Sequence, residues 1–234
     1  MVTDKRMTSF KEQARSGYFI SLEGGEGAGK STQLKLLVNW LENQGHSVVV
    51  TLEPGGTLIG KTIRSVLLDP NSKDLCPRAE LLLYSADRAQ HVETLILPSL
   101  KQGKVVISDR FCDSSTVYQG ICRGLGKKWT ETLNDFATSG LMPDTTIFLD
   151  IPQDQGMARV KQRLRQDMKL KGIRRRVKLD RLESQPSEFH RRVRAGFKKL
   201  ARENPKRFLV VNACQTPEKV ASDIQAALML RLKK

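Results

Sequence analysis

The stretch Gly24–Ser31, GGEGAGKS, constrains this chain more than any other part of it. It follows the apolar run YFISL at 18–22 and opens into a Leu-rich run. Gly24, Gly29, Lys30 and Ser31 fit the pattern G-x-x-x-x-G-K-[ST]. A loop with so little side chain lets the backbone N–H groups of Gly24, Gly25, Glu26, Gly27, Ala28 and Gly29 converge on an anion that bulkier residues would exclude. The helix that follows, with Ser31 and Thr32 in its first turn, adds the positive end of its dipole behind Lys30. Lys30 reaches the β and γ phosphates of a nucleoside triphosphate such as ATP, and the Ser31 hydroxyl is placed to ligate Mg²⁺.

The surroundings suit such a loop. Short apolar runs recur at 18–22, 47–52, 104–109, 145–150 and 207–211 without alternation, as in strands covered on both faces. Helical patterns lie between them, at 31–43, 58–68, 78–97, 130–138, 153–170, 187–203 and 217–231. In the first, Leu34, Leu37, Val38 and Leu41 share a face and Gly45 stands just past the end. Strand alternating with helix predicts an α/β fold with a parallel sheet and helices on both faces.

The chain has 234 residues and a formal net charge of +15, which favours an anionic partner. Much of that charge is concentrated. KLKGIRRRVK at 169–178 contains no acid, and Arg159, Lys161, Arg163 and Arg165 precede it. The segment reads either as a solvated face or as an arm that closes over an anion. Neither interleaved aromatics nor helix-turn-helix or zinc-finger spacing accompanies it, so a nucleic-acid partner is not expected. Cys76, Cys112, Cys122 and Cys214 form no CxxC pair and read as reduced thiols in the cytoplasm. No run approaches the roughly 18 apolar residues of a membrane span. Residues 1–17 have no apolar core and read as an extension ahead of a domain at 18–234.

Two acids end apolar runs and are candidates for a metal. Asp109 is followed by Arg110, so carboxylate and guanidinium leave one strand tip, where ligands gather in open parallel sheets. Asp150 reads instead as a cap or turn acid. The guanine-reading N-K-x-D and the switch D-x-x-G of GTPases are both missing. A second set of arginines between the strands suggests two phosphorylated ligands and transfer between them. In the helix at 78–97, Tyr84 and Arg88 are four apart and share a face, a ring and a planar fork suited to a flat heterocycle.

EPGGT (53–57), IRSVLL (63–68), LLLYSADRAQHV (81–92), SDRFCDSSTVYQG (108–120) and LDRLE (179–183) follow the phosphate loop in this order. From about Tyr18 to near the C-terminus the chain closely resembles the bacterial thymidylate kinase family. The resemblance implies a P-loop NTPase fold with a five-stranded parallel sheet, a basic lid at about 153–180, a homodimer, and transfer of the γ-phosphoryl of ATP to dTMP with Mg²⁺. It implies that Tyr84 stacks on thymine and Arg88 binds the base edge. It puts Arg64 and Arg110 on the acceptor phosphate, and Ser115 and Gln119, with Ser114 beside them, at the base. Tyr118 would lie by the deoxyribose and Glu26 at its 3′-hydroxyl. Glu53 and Asp109 would sit by metal and phosphates, with the catalytic arginine supplied from the lid, Arg159 and Arg163 being the candidates.

The chemistry agrees with that likeness. Thymine O4 accepts hydrogen bonds where cytosine presents an amino group, so an arginine at that edge favours thymine. The acceptor phosphate is already anionic and needs no strong base; alignment and charge neutralisation carry the reaction. Three departures stand out: Leu52 where the family usually has Arg, Tyr84 where it usually has Phe, and a longer lid carrying RRR at 174–176. A kinase for another nucleoside monophosphate and a nucleic-acid-binding ATPase are the alternatives.

Overall fold

The computed structural model describes residues 16–170 and 179–232. Its centre is one five-stranded sheet in the order β2-β3-β1-β4-β5, with every pairing parallel. The strands are β1 (Tyr18–Glu23), β2 (Val48–Leu52), β3 (Val105–Asp109), β4 (Thr145–Asp150) and β5 (Phe208–Asn212). All five apolar runs are strands, within a residue of the expected bounds.

The inner strands β1, β3 and β4 are covered on both faces, and their side chains divide by parity. Ile20, Leu22, Ile107, Ile147 and Leu149 enter one core with helices α1 (Lys30–Asn43) and α9 (Pro217–Leu232). On the other face, Phe19 and Val106 join Phe111 and the stretch after α3 (Pro77–His91). Phe148 packs there with α8 (Ser187–Glu203). The expectation of double coverage fails at the edges. Val50 on β2 and Val210 on β5 are about half exposed, because an edge strand has neighbours on one side only.

The helices follow local signals. α1 begins where Gly29, at φ 91°, ends the loop, and Leu37 and Leu41 turn into the core. The hydroxyl of Thr57 accepts the N–H of Gly60 at 3.0 Å and caps α2 (Leu58–Leu68). α3 carries Pro77 in its first turn. The run expected as one helix at 78–97 is α3, a π-helical stretch at Val92–Ile96 and α4 (Leu97–Lys101). A second irregular helical region went unforeseen: α5 (Cys112–Ser115) and a π-helical stretch at Thr116–Cys122. α6 (Lys127–Thr138) and α7 (Gln153–Leu170) complete the set. Asn134 of α6 spans the irregular stretch, its amide donating to the Cys112 carbonyl and the Thr116 hydroxyl. The arginines at 174–176, with the rest of 171–178 and residues 1–15 of the extension, lie outside the described residues.

Phe197 is fully buried, stacks on Phe148 at 5.2 Å and meets Tyr118 edge-on at 6.4 Å. Phe197→Ala is expected to cost about 3–5 kcal/mol, read as a lower urea midpoint with an unchanged slope.

Candidate active site

The carboxyl ends of the central strands open into one cleft of about 850 Å³. Its floor is the loop between β1 and α1. Among the expected residues, Glu26 through Thr32 line it, as do Glu53, Arg64, Tyr84, Arg88, Asp109, Arg110, Ser114, Ser115, Tyr118, Gln119, Arg159 and Arg163. Gly24 and Gly25 lie behind the wall, where their carbonyls hold the Lys30 ammonium at 3.3 Å each. Burial in the floor, and next the Arg110 charge, push the Lys30 pKa down. An ammonium held so close to another cation is relieved by an incoming polyphosphate.

The loop touches α7 backbone to backbone. A Cβ on Gly27 would lie 2.0 Å from the Gly156 carbonyl oxygen, and one on Gly156 would lie 2.3 Å from the Glu26 carbonyl oxygen. Gly27 also holds φ 71°, so glycine is required there twice over. This contact starts α7 at the loop and carries Arg159 and Arg163 along the cleft. Arg163 pairs with Glu183 at 2.9 Å.

Arg110 divides the cleft. It is non-glycine at φ 72°, an uncommon conformation of the kind found at functional sites. Two bonds hold it there: its N–H donates to the Leu22 carbonyl at 2.9 Å, and the Ser108 hydroxyl donates to its own carbonyl at 2.6 Å. Its guanidinium donates to Glu26 Oε1 at 2.6 Å and to Ser114 Oγ at 3.2 Å, and lies 5.2 Å from the Tyr118 ring centre. Burial alone would raise the Glu26 pKa, but the charges of Arg110 and Lys30 outweigh it and hold it low.

Beyond Arg110 the wall is a buried polar network. Tyr84 and Arg88 of α3 are both buried and both line the cleft. Arg88 donates from Nε to Glu53 at 2.8 Å, from Nη1 to Asn134 at 2.7 Å and from Nη2 to Ser115 at 3.0 Å. Glu53 also accepts from His91 Nδ1 at 3.0 Å. Glu53 lines the same cleft as Asp109 and Lys30. Both its oxygens serve α3, because a buried guanidinium and imidazole take them up. Arg64 donates to the Pro54 carbonyl at 2.7 Å.

Asp109, at the end of β3, lines the cleft. Its Oδ1 is buried and has no hydrogen-bond partner among the described residues, which suits a carboxylate awaiting a cation at the cleft floor. Asp150 does not line the cleft. It is neither cap nor turn acid: Arg194 and Lys198 of α8 engage it at 2.6 and 3.4 Å.

Two supporting residues, Glu23 and Asn134, were not foreseen. Glu23 ends β1 fully buried, accepting the Phe111 N–H at 2.8 Å and the Ser114 hydroxyl at 2.6 Å, and so steadies the turn that presents Arg110. An acid closing an apolar run was its one visible signal. Asn134 had none.

A phosphate loop, a guanidinium across from it and an aromatic-lined polar wall in one cleft define a P-loop phosphotransferase, built to bring two anionic ligands together. Comparison narrows the class. The model of the thymidylate kinase family matches residues 22–224. Over 210 residues the chain is 49% identical to the thymidylate kinase of Desulfosudis oleivorans, covering 90% of this chain and 95% of that protein. Over 211 residues it is 48% identical to that of Clavibacter sepedonicus, covering 90% and 94%. The crystal structure of thymidylate kinase from Ehrlichia chaffeensis superposes with a TM-score of 0.70 at 33% identity, covering 91% of this chain and 98% of that one. The chain belongs to the thymidylate kinase family.

Burial, and next the Asp113 carboxylate, push the Glu23 pKa up from 4.5 to about 8. Between those values the unfolded carboxyl has released its proton while the folded one keeps it, so the contribution of Glu23 to stability falls as pH rises. Glu23→Gln removes this drain. The Tm of the variant relative to wild type should climb from about pH 5 to about pH 8, and a difference flat across that range would contradict the assignment.

Proposed function

We propose that the protein transfers the γ-phosphoryl group of ATP to the 5′-phosphate of dTMP, giving dTDP and ADP for dTTP synthesis. The observation that carries this is the single cleft with Lys30 and its loop at one end and Tyr84, Arg88 and Gln119 at the other, Arg110 lying between them. A phosphate oxygen of dTMP forms the new bond to the γ phosphorus as the bond to the β-phosphate oxygen breaks, and ADP leaves with that electron pair. The protein aligns and neutralises. The loop N–H groups and Lys30 hold the donor. Arg110 and Arg64 hold the acceptor phosphate, and the Arg110–Glu26 pair keeps the guanidinium over the gap. Glu26 and Tyr118, themselves hydrogen-bonded at 3.3 Å, flank the sugar. Tyr84 stacks on the base, and Arg88 and Ser115 meet its edge. Arg159 and Arg163 reach the transferring group from α7.

Ser31 and the unpaired oxygen of Asp109 would hold Mg²⁺, which when bound lowers the negative charge of the phosphates. The functional unit is a homodimer. Its support is an apolar surface on α2, α3 and α6, where Leu58, Leu82, Trp129 and Phe136 are 83%, 58%, 75% and 68% exposed. The location is cytoplasmic, a reading supported by four free cysteines. Among the described residues no helix is long and apolar enough to cross a membrane.

ADP release measured with dTMP, dUMP, dCMP and dGMP tests the reaction, dTMP being the expected best acceptor; preference for a purine would overturn the reading. Arg88→Ala should raise KM for dTMP at least tenfold and leave KM for ATP nearly unchanged. Phe136→Glu should shift the sedimenting species from dimer to monomer, and a wild type that sediments as a monomer would refute the dimer.

A further inference from the structure

Behind the pyrimidine wall, outside the cleft, lies a second buried ionic cluster centred on Glu80. Glu80, Tyr84 and Arg88 stand four residues apart on α3 and form one stripe. Glu80 is fully buried. Its carboxylate meets Arg181 Nη1 at 2.5 Å and Arg123 Nη2 at 3.3 Å. Arg181 also donates to the Leu67 carbonyl at the end of α2, and Arg123 lies over the Phe189 ring. The remaining partner of Glu80 is an amide: Gln119 Nε2 donates to its Oε1 at 2.7 Å.

A carboxylate flanked by two guanidinium groups accepts hydrogen bonds and donates none. The Gln119 side chain must therefore turn its NH₂ toward Glu80. Its carbonyl oxygen is left for the cleft, which Gln119 lines and Glu80 does not. We propose that Glu80 is a positioning residue for base selection: it fixes the Gln119 amide so that its carbonyl accepts the N3–H of an imide base. This rests on the thymidine monophosphate reading and deepens it. With Arg88 donating at the neighbouring position, the wall presents donor then acceptor. Thymine and uracil offer the complement, O4 and N3–H. Cytosine offers an amino group and a bare N3, and clashes at both positions. A free amide would turn over and meet either base, so discrimination at N3 needs a partner that cannot reverse. Glu80 is that partner, and the two arginines keep it in place.

The test is the ratio of kcat/KM for dTMP to that for dCMP, with the inhibition constant of dCMP replacing its turnover where none is detected. In Glu80→Gln the group facing Gln119 both donates and accepts, and the amide is free to reverse. The ratio is expected to fall at least tenfold. Equal loss for both nucleotides, leaving the ratio unchanged, overturns the proposal, because a merely structural role would produce that. Should Glu80→Gln fail to fold, Glu80→Asp keeps the charge for the arginines and withdraws it from Gln119, and the same fall is expected. On the wild-type protein, N3-methyl-dTMP should compete at least tenfold less well than dTMP, and equal competition overturns the proposal without any variant. A wild type that prefers a purine would instead sink the thymine reading itself. A wild type that prefers dTMP, with an unaltered ratio in a folded variant, would sink the role of Glu80 alone.

Discussion

The contact on which the cleft depends is the 2.6 Å ion pair between Arg110 and Glu26. Two phosphate chains cannot approach within bonding distance unless positive charge stands between them, and a guanidinium free to swing would fall back onto whichever anion arrived first. Glu26 comes from the phosphate loop between β1 and α1; Arg110 follows directly on the end of β3. Their pairing joins the two halves of the site. It also explains why Arg110 is held in an uncommon backbone conformation by bonds at both its N–H and its carbonyl. The pair is about four-fifths buried, where Coulomb attraction is stronger than at the surface.

The two ends of the cleft are built on different principles. The donor end is main chain, a loop whose N–H groups suit any triphosphate tail. The other end is side chain, with largely buried polar and charged groups in linked sets: Glu53 with Arg88 and His91, and Glu80 with Arg181 and Arg123. Burying such charges is costly, and their mutual attraction offsets that cost only when geometry and hydrogen bonding are good. What the arrangement provides is a wall in which each donor and acceptor has one orientation. That suits the recognition of a base, whereas generic amides suit a phosphate.

Much of this was legible in the residues. GGEGAGKS between a strand and a helix carried the phosphate loop, and the five apolar runs carried the sheet, because short unbroken apolar runs leave a mark in composition alone. The order of the SDRF, DSS and YQG strings carried the family. Three kinds of feature were not legible. Edge exposure of Val50 and Val210 depends on strand order, which no local pattern records. The π-helical stretches at Val92–Ile96 and Thr116–Cys122 differ from α-helix by one residue of hydrogen-bond offset, below what periodicity resolves. The partners of Arg88, from Glu53 to Asn134, are 35 and 46 residues away along the chain. Sequence spacing named residues that line the cleft better than the residues behind them. Glu80 was the exception in principle, since its stripe with Tyr84 and Arg88 is a helical period.

The bare contact of Gly27 with Gly156 has a mechanical consequence. Where two segments meet through side chains, rotamer changes allow one to slide while the other stays still. Here the peptide units themselves abut, and nothing lies between them to absorb displacement. Any travel of the far end of α7 must then be rotation about a fulcrum at the phosphate loop, with leverage growing along the helix. Arg159 is three residues from that contact and would sweep a short arc; Arg163, seven residues from it, would sweep a longer one.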